Sequence, residues 1–270
     1  MCAIYTWVVS ALGVRAAGGL VAALAIAIAA RRARALSVDG AIGAVVVGTV
    51  SVAAGWDWGA LLIAFFLTST FLSRSGGPVS GIVEKGGERD AIQVLANGGL
   101  FAAAAAAFVL RPAVVWQAVG AGALAASTSD TWATEIGTRA KALPRSIVTW
   151  RPVSPGTSGG VTVHGTLAAF GGAAFLGALV ALVGWPAWVA ATTVIAGIVG
   201  STADSVLGAT LQARRRCPQC NLGTERLVHS CGARTAHAGG VQWLTNDGVN
   251  AVSSAIGAAV GLWGGAWTPR

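Results

Sequence analysis

The sequence predicts an all-α, polytopic membrane bundle, and three observations carry that prediction. Of the 270 residues, 54% are hydrophobic and 10% are charged, with a mean hydropathy of +0.69, whereas soluble domains carry roughly 25% charged residues. The apolar residues run in continuous blocks of helical length, not in the alternating segments of about ten that a membrane barrel requires. The 38 glycines, scattered among alanines, suit helices that approach closely in lipid, where small residues permit dense packing.

At about 20 apolar residues per span, eight helices are predicted near 5–30, 38–55, 58–73, 92–110, 113–129, 161–183, 187–210 and 248–267. They form a single transmembrane domain over 1–270. "RRAR" at 31–34 follows the first run without a cleavage site before it, so that span is expected to be retained as an anchor. "GWDWG" at 55, "RP" at 111 and "GWPAW" at 184 supply turns.

Alternating these spans puts the loops 31–37, 74–91, 130–160 and 211–247 on one side. They hold 15 of the 18 Lys and Arg residues, leaving Arg15, Arg111 and Arg270. The positive-inside rule then makes this a multi-pass cell-membrane protein with cytoplasmic motif loops and both termini outside. Trp7, Trp56, Trp58, Trp116, Trp185, Trp188, Trp263 and Trp267 fall near the external ends, where an aromatic belt is expected. Arg15 has to snorkel or shift the start of the first span. The net charge of +8 is explained by these loops, and nucleic acid is not an implied partner.

A Ser-Thr-x-Asp pattern occurs twice, within "ASTSDTWATE" at 126–135 and "GSTADSVLGA" at 200–209. Asp130 is expected to end the fifth span, and Asp204 to lie near the end of the seventh. "TSGGVTVHGT" at 157–166 parallels "TNDGVNAVSS" at 245–254. Either a two-helix hairpin occurs twice in parallel orientation, as in transporters, or the likeness is chance in a chain of low residue diversity.

Carboxylates inside a bundle are costly unless paired or metal-bound. Asp130, Glu135, Asp204 and Asp247 all approach one layer, the pattern of a Mg²⁺ site completed by phosphate oxygens; the plain alternative is carboxylates satisfied by neighbouring Arg. Arg89, Gln93 and Asn97 are spaced by four, as are Asn246, Asn250 and Ser254, so each set lines one helix face. These stripes either glue helices together or line a polar cavity. "PGTSGGV" at 155–161 brings Thr157, Ser158, Gly159 and Gly160 to an expected helix start, where free N–H groups attract anions. Arg139, Lys141, Arg145 and Arg151 share its loop. Together these residues have the charge pattern of phosphoryl transfer, and Trp132, Trp150 and Trp243 could pack an apolar tail or a base.

"CPQC" and "HSC" bring Cys217, Cys220, His229 and Cys231 into one loop. The C-x2-C pair is a zinc half-site that His229 and Cys231 could complete, although the second half is tight. Free thiols and a disulfide are the alternatives, the last disfavoured in a cytoplasmic loop. Cys2 is read as incidental.

With "RDAIQVLANGG", "SDTWATEIG", "PGTSGGV" and "WLTNDGVNAVSS" in one chain, the sequence resembles the membrane family of plant phytyl-phosphate kinase, formerly a domain of unknown function, which includes vertebrate transmembrane protein 19-like members. The resemblance spans roughly residues 38–265. It implies a polytopic enzyme, similar to phytol and dolichol kinases, that phosphorylates a membrane-held isoprenyl monophosphate. The co-substrate would be a nucleoside triphosphate, CTP or another, with Mg²⁺. By motif, it carries function to Asp130, Thr131, Glu135, Thr157, Gly159, Gly160, Asp204, Asn246, Asp247 and Asn250. Rival readings are a secondary transporter, which would carry its acids near the bilayer centre, and a non-catalytic lipid-binding protein.

Overall fold

The computed structural model describes residues 2–75 and 87–266, with residues 2–10 as backbone alone. Residues 76–86 of the predicted 74–91 loop, and the side chains of Cys2, Trp7 and Trp267, lie outside that description. Eight helices follow the predicted order: α1 Cys2–Arg32, α2 Val38–Ala54, α3 Trp56–Ser75, α4 Ala91–Leu110, α5 Val114–Gly137, α6 Val163–Leu182, α7 Ala187–Thr210 and α8 Asn246–Ala266. Their ends are set by local chemistry. Ser37 caps α2 by accepting from Gly40 N at 3.1 Å, and Asp90 and Gln93 close a capping box on α4. Thr162 caps α6 by accepting from Gly165 N at 3.0 Å. Pro186 immediately precedes α7, where its fixed φ suits a helix start.

Among the described residues, six helices are long and apolar enough to cross a membrane. At 17 residues α2 is shorter, and α5 carries Ser, Thr, Asp and Glu in its second half. That polarity has a structural reason. Helix α5 is the axle of the bundle, packed by α3, α4, α6, α7 and α8 and buried continuously from Gly120 to Ser129, so its polar side chains meet protein instead of lipid. Small residues allow this crowding: a side chain on Gly257 would strike the Gly122 carbonyl, and one on Gly200 would strike Ala126.

The largest apolar cluster gathers Trp58, Phe101, Leu124, Leu176 and Val180 with Trp185. Trp58 packs on Phe101, Phe108 and Trp185 at centroid distances of 5.1, 5.6 and 5.0 Å, and Trp185 Nε1 donates to Asp57 Oδ2 at 2.5 Å. These two tryptophans therefore leave the expected surface belt for the core, where Trp58 lies against Gly120 in the first half of α5. Trp56 and Trp263 remain exposed. Arg15 finds a local solution: its Nη1 donates to the Ala54 carbonyl at the end of α2, at 3.3 Å, where the helix dipole favours a cation.

Two segments expected as loops form small antiparallel sheets. β1 Arg145–Ser146 pairs with β2 Gly160–Val161, and β3 Arg214–Arg216 lies between β4 Gly223–Thr224 and β5 Ala236–Gly239. Both sit at the end of the bundle that carries the motifs.

Candidate functional site

Helices α5 and α7 run parallel, with Gly200 seated on Ala126. One turn further along each comes an aspartate, and the carboxyls of Asp130 and Asp204 lie within hydrogen-bonding reach of each other. The repeated Ser-Thr-x-Asp is thus the same step of two adjacent helices brought face to face. Asp130 does not end its helix, as the sequence suggested: α5 continues through Gly137, so the acid pair stands about 10 Å inside the helix ends at 1.5 Å per residue. Asp204 Oδ2 is buried without a hydrogen-bond partner. Among the described residues, neither aspartate is in an ion pair. Two adjacent carboxyls with no cation beside them and one orphaned oxygen are a donor set that would suit a hard divalent ion such as Mg²⁺.

Above the pair, the 155–161 segment lies along the last turns of α7. Gly159 takes a left-handed φ of 74°, and a side chain there would strike Ala209 and the Ser205 carbonyl. Thr157, Ser158, Gly159 and Gly160 do not open a helix, contrary to expectation: β2 intervenes, and Thr162 caps α6. Their backbone is instead pressed against the α7 turn that follows Asp204. Ser158 Oγ donates to Glu225, and Ser158 itself lies against Gly208, so this acid is held over the last turn of α7. The sequence reading missed Glu225; its only signal was one acid in a long basic loop.

Helix α8 is antiparallel to α5. Ser127 and Ser254 hydroxyls bond at 2.9 Å, and Ser254 reaches the Ala96 carbonyl at 3.1 Å. Asp247 is buried, and Asn246 and Asn250 are half-buried on the same helix. Counting 1.5 Å per residue from the serine contact puts Asp247 about 6 Å farther toward the bundle end than Asp130. Among the described residues the three aspartates are not a group of ligand atoms close enough to share one ion; Asp247 stands above the Asp130–Asp204 pair. Thr131 spends its hydroxyl on the Ser127 carbonyl at 2.8 Å.

Glu135 lies elsewhere. Because α5 stays helical, Asp130 and Glu135 point about 140° apart, and Glu135 Oε1 accepts from Ser73 Oγ at 2.6 Å. Arg89 donates to Thr70 at 3.0 Å and Ser73 at 3.1 Å, and Arg139 sits 3.9 Å from Glu135 and donates to the Leu72 carbonyl. This second polar cluster ties α3, α4 and α5 together. Gln93 closes the α4 capping box, and Asn97 bonds back to the Gln93 carbonyl at 2.9 Å, so both act within their own helix. Trp132 stacks on Phe175 at 5.3 Å between α5 and α6. Lys141 and Arg145 are exposed.

Cys217, Cys220, His229 and Cys231 offer ligand atoms that all lie within 4.8 Å of one another, and the three cysteines are free thiols. Among the described residues this is the one group of three or more such ligands close enough to share an ion. Contact with the Cys231 sulfur pushes the Cys220 thiol up to about 11.

The chain matches the family described as integral membrane protein DUF92 over residues 21–258. It is similar to the Arabidopsis thaliana protein named PGR, at 33% identity over 261 residues, 84% of this chain and 88% of that one. It is also similar to two uncharacterized membrane proteins. That of Methanocaldococcus jannaschii is 31% identical over 70% of this chain and 80% of its own. That of Synechocystis is 30% identical over 80% and 78%. No solved structure matches the chain. With most of its length matched, and by the motifs that first suggested the resemblance, the chain belongs to the DUF92 family of integral membrane proteins.

Proposed function

We propose that the chain is a membrane-embedded isoprenyl-phosphate kinase that moves a phosphoryl group from a nucleoside triphosphate to a lipid-anchored isoprenyl monophosphate. The observation that carries this reading is the Asp130–Asp204 contact, uncompensated by any cation among the described residues and open to an orphaned carboxyl oxygen. Mg²⁺ held there would neutralise charge on the nucleotide phosphates.

The remaining work belongs to the chain. Asp130 and Asp204, on rigid helices, fix where the phosphates stop, with Asp247 and Asn250 lining the α8 side. Ser158 and the backbone of Gly159 and Gly160 close the opposite side over α7. The acceptor phosphate enters at the same end of the bundle, while Arg89 and Arg139 are engaged on the α3 flank of α5 with Thr70, Ser73, Glu135 and the Leu72 carbonyl. That phosphate oxygen is itself the nucleophile, so no strong general base is needed and positioning does most of the catalysis. The isoprenoid tail stays in lipid along the exposed apolar faces of the outer helices.

The test uses purified protein in lipid nanodiscs with a panel of labelled nucleoside triphosphates, Mg²⁺, and phytyl or geranylgeranyl monophosphate. Diphosphate formation that disappears in Asp204→Asn supports the kinase. Absence of diphosphate with every nucleotide overturns it. Solute uptake into sealed vesicles dependent on Asp204, without phosphoryl transfer, would select the transporter reading.

A further inference from the structure

We infer that Cys217, Cys220, His229 and Cys231 bind one zinc ion, which replaces a hydrophobic core in the 214–239 cap and so holds Glu225 on Ser158, over the last turn of α7. The zinc site stands independently of the kinase reading, since it is argued from the cap alone.

The ligand atoms converge at the right scale. A tetrahedron with zinc bonds near 2.3 Å to sulfur and 2.0 Å to nitrogen has edges of about 3.8 Å and about 3.5 Å. The Cys217 and Cys231 sulfurs are 3.6 Å apart, and His229 Nδ1 is 3.2 Å from the Cys231 sulfur. Soft thiolates with one imidazole select zinc over Mg²⁺ or Ca²⁺.

The two halves of the site are built alike. Cys220 N faces Cys217 Sγ at 3.4 Å, and Cys231 N faces His229 Nδ1 at 3.5 Å. Each turn is released by a left-handed residue directly after its outer cysteine: Asn221 at φ 57° and Gly232 at φ 87°. One turn joins β3 to β4, and the other lies between β4 and β5, so the cluster pins all three strands.

Packing gives the independent argument. Between residues 214 and 239 the buried side chains are Cys217, Thr224, His229 and Thr235, while Leu222, Leu227 and Val228 are exposed. No aliphatic or aromatic side chain forms a core there. A segment this small cannot order itself without one, unless a metal or cross-link supplies the free energy, and the three cysteines are thiols. Zinc binding, with release of the thiol protons, is folding energy for such a cap. Its outcome is specific: Glu225 directly follows β4 and accepts from Ser158.

Full-length protein, purified in detergent without chelators, should contain about one zinc per chain by elemental analysis, and Cys217→Ser or Cys220→Ser should remove most of it. Chelation of the wild type should open the Arg-rich cap to trypsin while helical circular dichroism is unchanged, and added zinc should restore protection. Wild type without zinc, or cysteine variants with the wild-type content, overturns the site. Zinc release that leaves trypsin resistance intact overturns its structural role. These readouts need no turnover, so a protein that binds zinc but makes no diphosphate sinks only the kinase proposal.

Discussion

Asp130 and Asp204 face each other one turn beyond the point where Gly200 seats on Ala126, so a sequence repeat has become a carboxyl–carboxyl contact. Like charges at this range resist joint ionisation unless a cation intervenes. Mn²⁺ or Mg²⁺ should therefore raise the wild-type thermal midpoint in detergent. Asp130→Asn and Asp204→Asn should abolish that shift while leaving the metal-free midpoint equal or higher, because a buried ionisable group is replaced by a neutral one. In the proposed phosphoryl transfer each should cost on the order of 100-fold or more. A metal-dependent shift of wild-type size in Asp204→Asn would remove the acid pair from consideration as the ion site.

Glu135 separates the two polar clusters experimentally. It bonds Ser73 and approaches Arg139, about 140° around α5 from Asp130. Glu135→Gln should then leave divalent affinity within about twofold of wild type, measured by Mn²⁺ titration. Its cost should appear as stability, at about 1 kcal/mol for a partly exposed charge-assisted bond. A large fall in metal affinity would instead restore the expectation that Glu135 is a ligand.

The close packing around α5 sets a third expectation. Valine at Gly257 would force side-chain atoms against the Gly122 carbonyl, an overpacking cost of about 1–3 kcal/mol. The same change at Gly13, where nothing lies within 4 Å, should be within about 0.5 kcal/mol. Size-exclusion thermal stability in detergent distinguishes the two, and equal midpoints would contradict the tight α5–α8 crossing.

How far the sequence was legible depends on which physical rule governed each residue. Helix order could be read because hydropathy and turn residues act locally, and α7 matches its expected bounds of 187–210. The end of α5 could not: a hydropathy rule stops a span at Asp130, but the helix continues because its polar side chains find partners, Thr131 on the Ser127 carbonyl and Glu135 on Ser73. That single extension turned Glu135 to another flank. Asp130 and Asp204 were found because each copy of the motif marks the other. Glu225 was not, since its place depends on a cap fold that hydrophobic periodicity cannot register. Trp58 was assigned to a belt by depth alone, whereas its facing on α3 puts it in the core.

The half-buried Trp185–Asp57 bond gives the final test, at the opposite end of the bundle from the acid pair. Trp185 Nε1 donates to Asp57 Oδ2 at 2.5 Å while its ring packs on Trp58 at 5.0 Å. Trp185→Phe keeps most of the apolar contact but removes the donor, leaving a carboxylate partner unsatisfied at a cost of about 1–3 kcal/mol. Trp56, exposed on the same turn, should tolerate Phe within about 0.5 kcal/mol. If the bond is a structural staple remote from the site, Trp185→Phe lowers the thermal midpoint yet leaves the size of the Mn²⁺-induced shift unchanged. Loss of that shift in a protein still folded by circular dichroism would show the two ends to be coupled through α5.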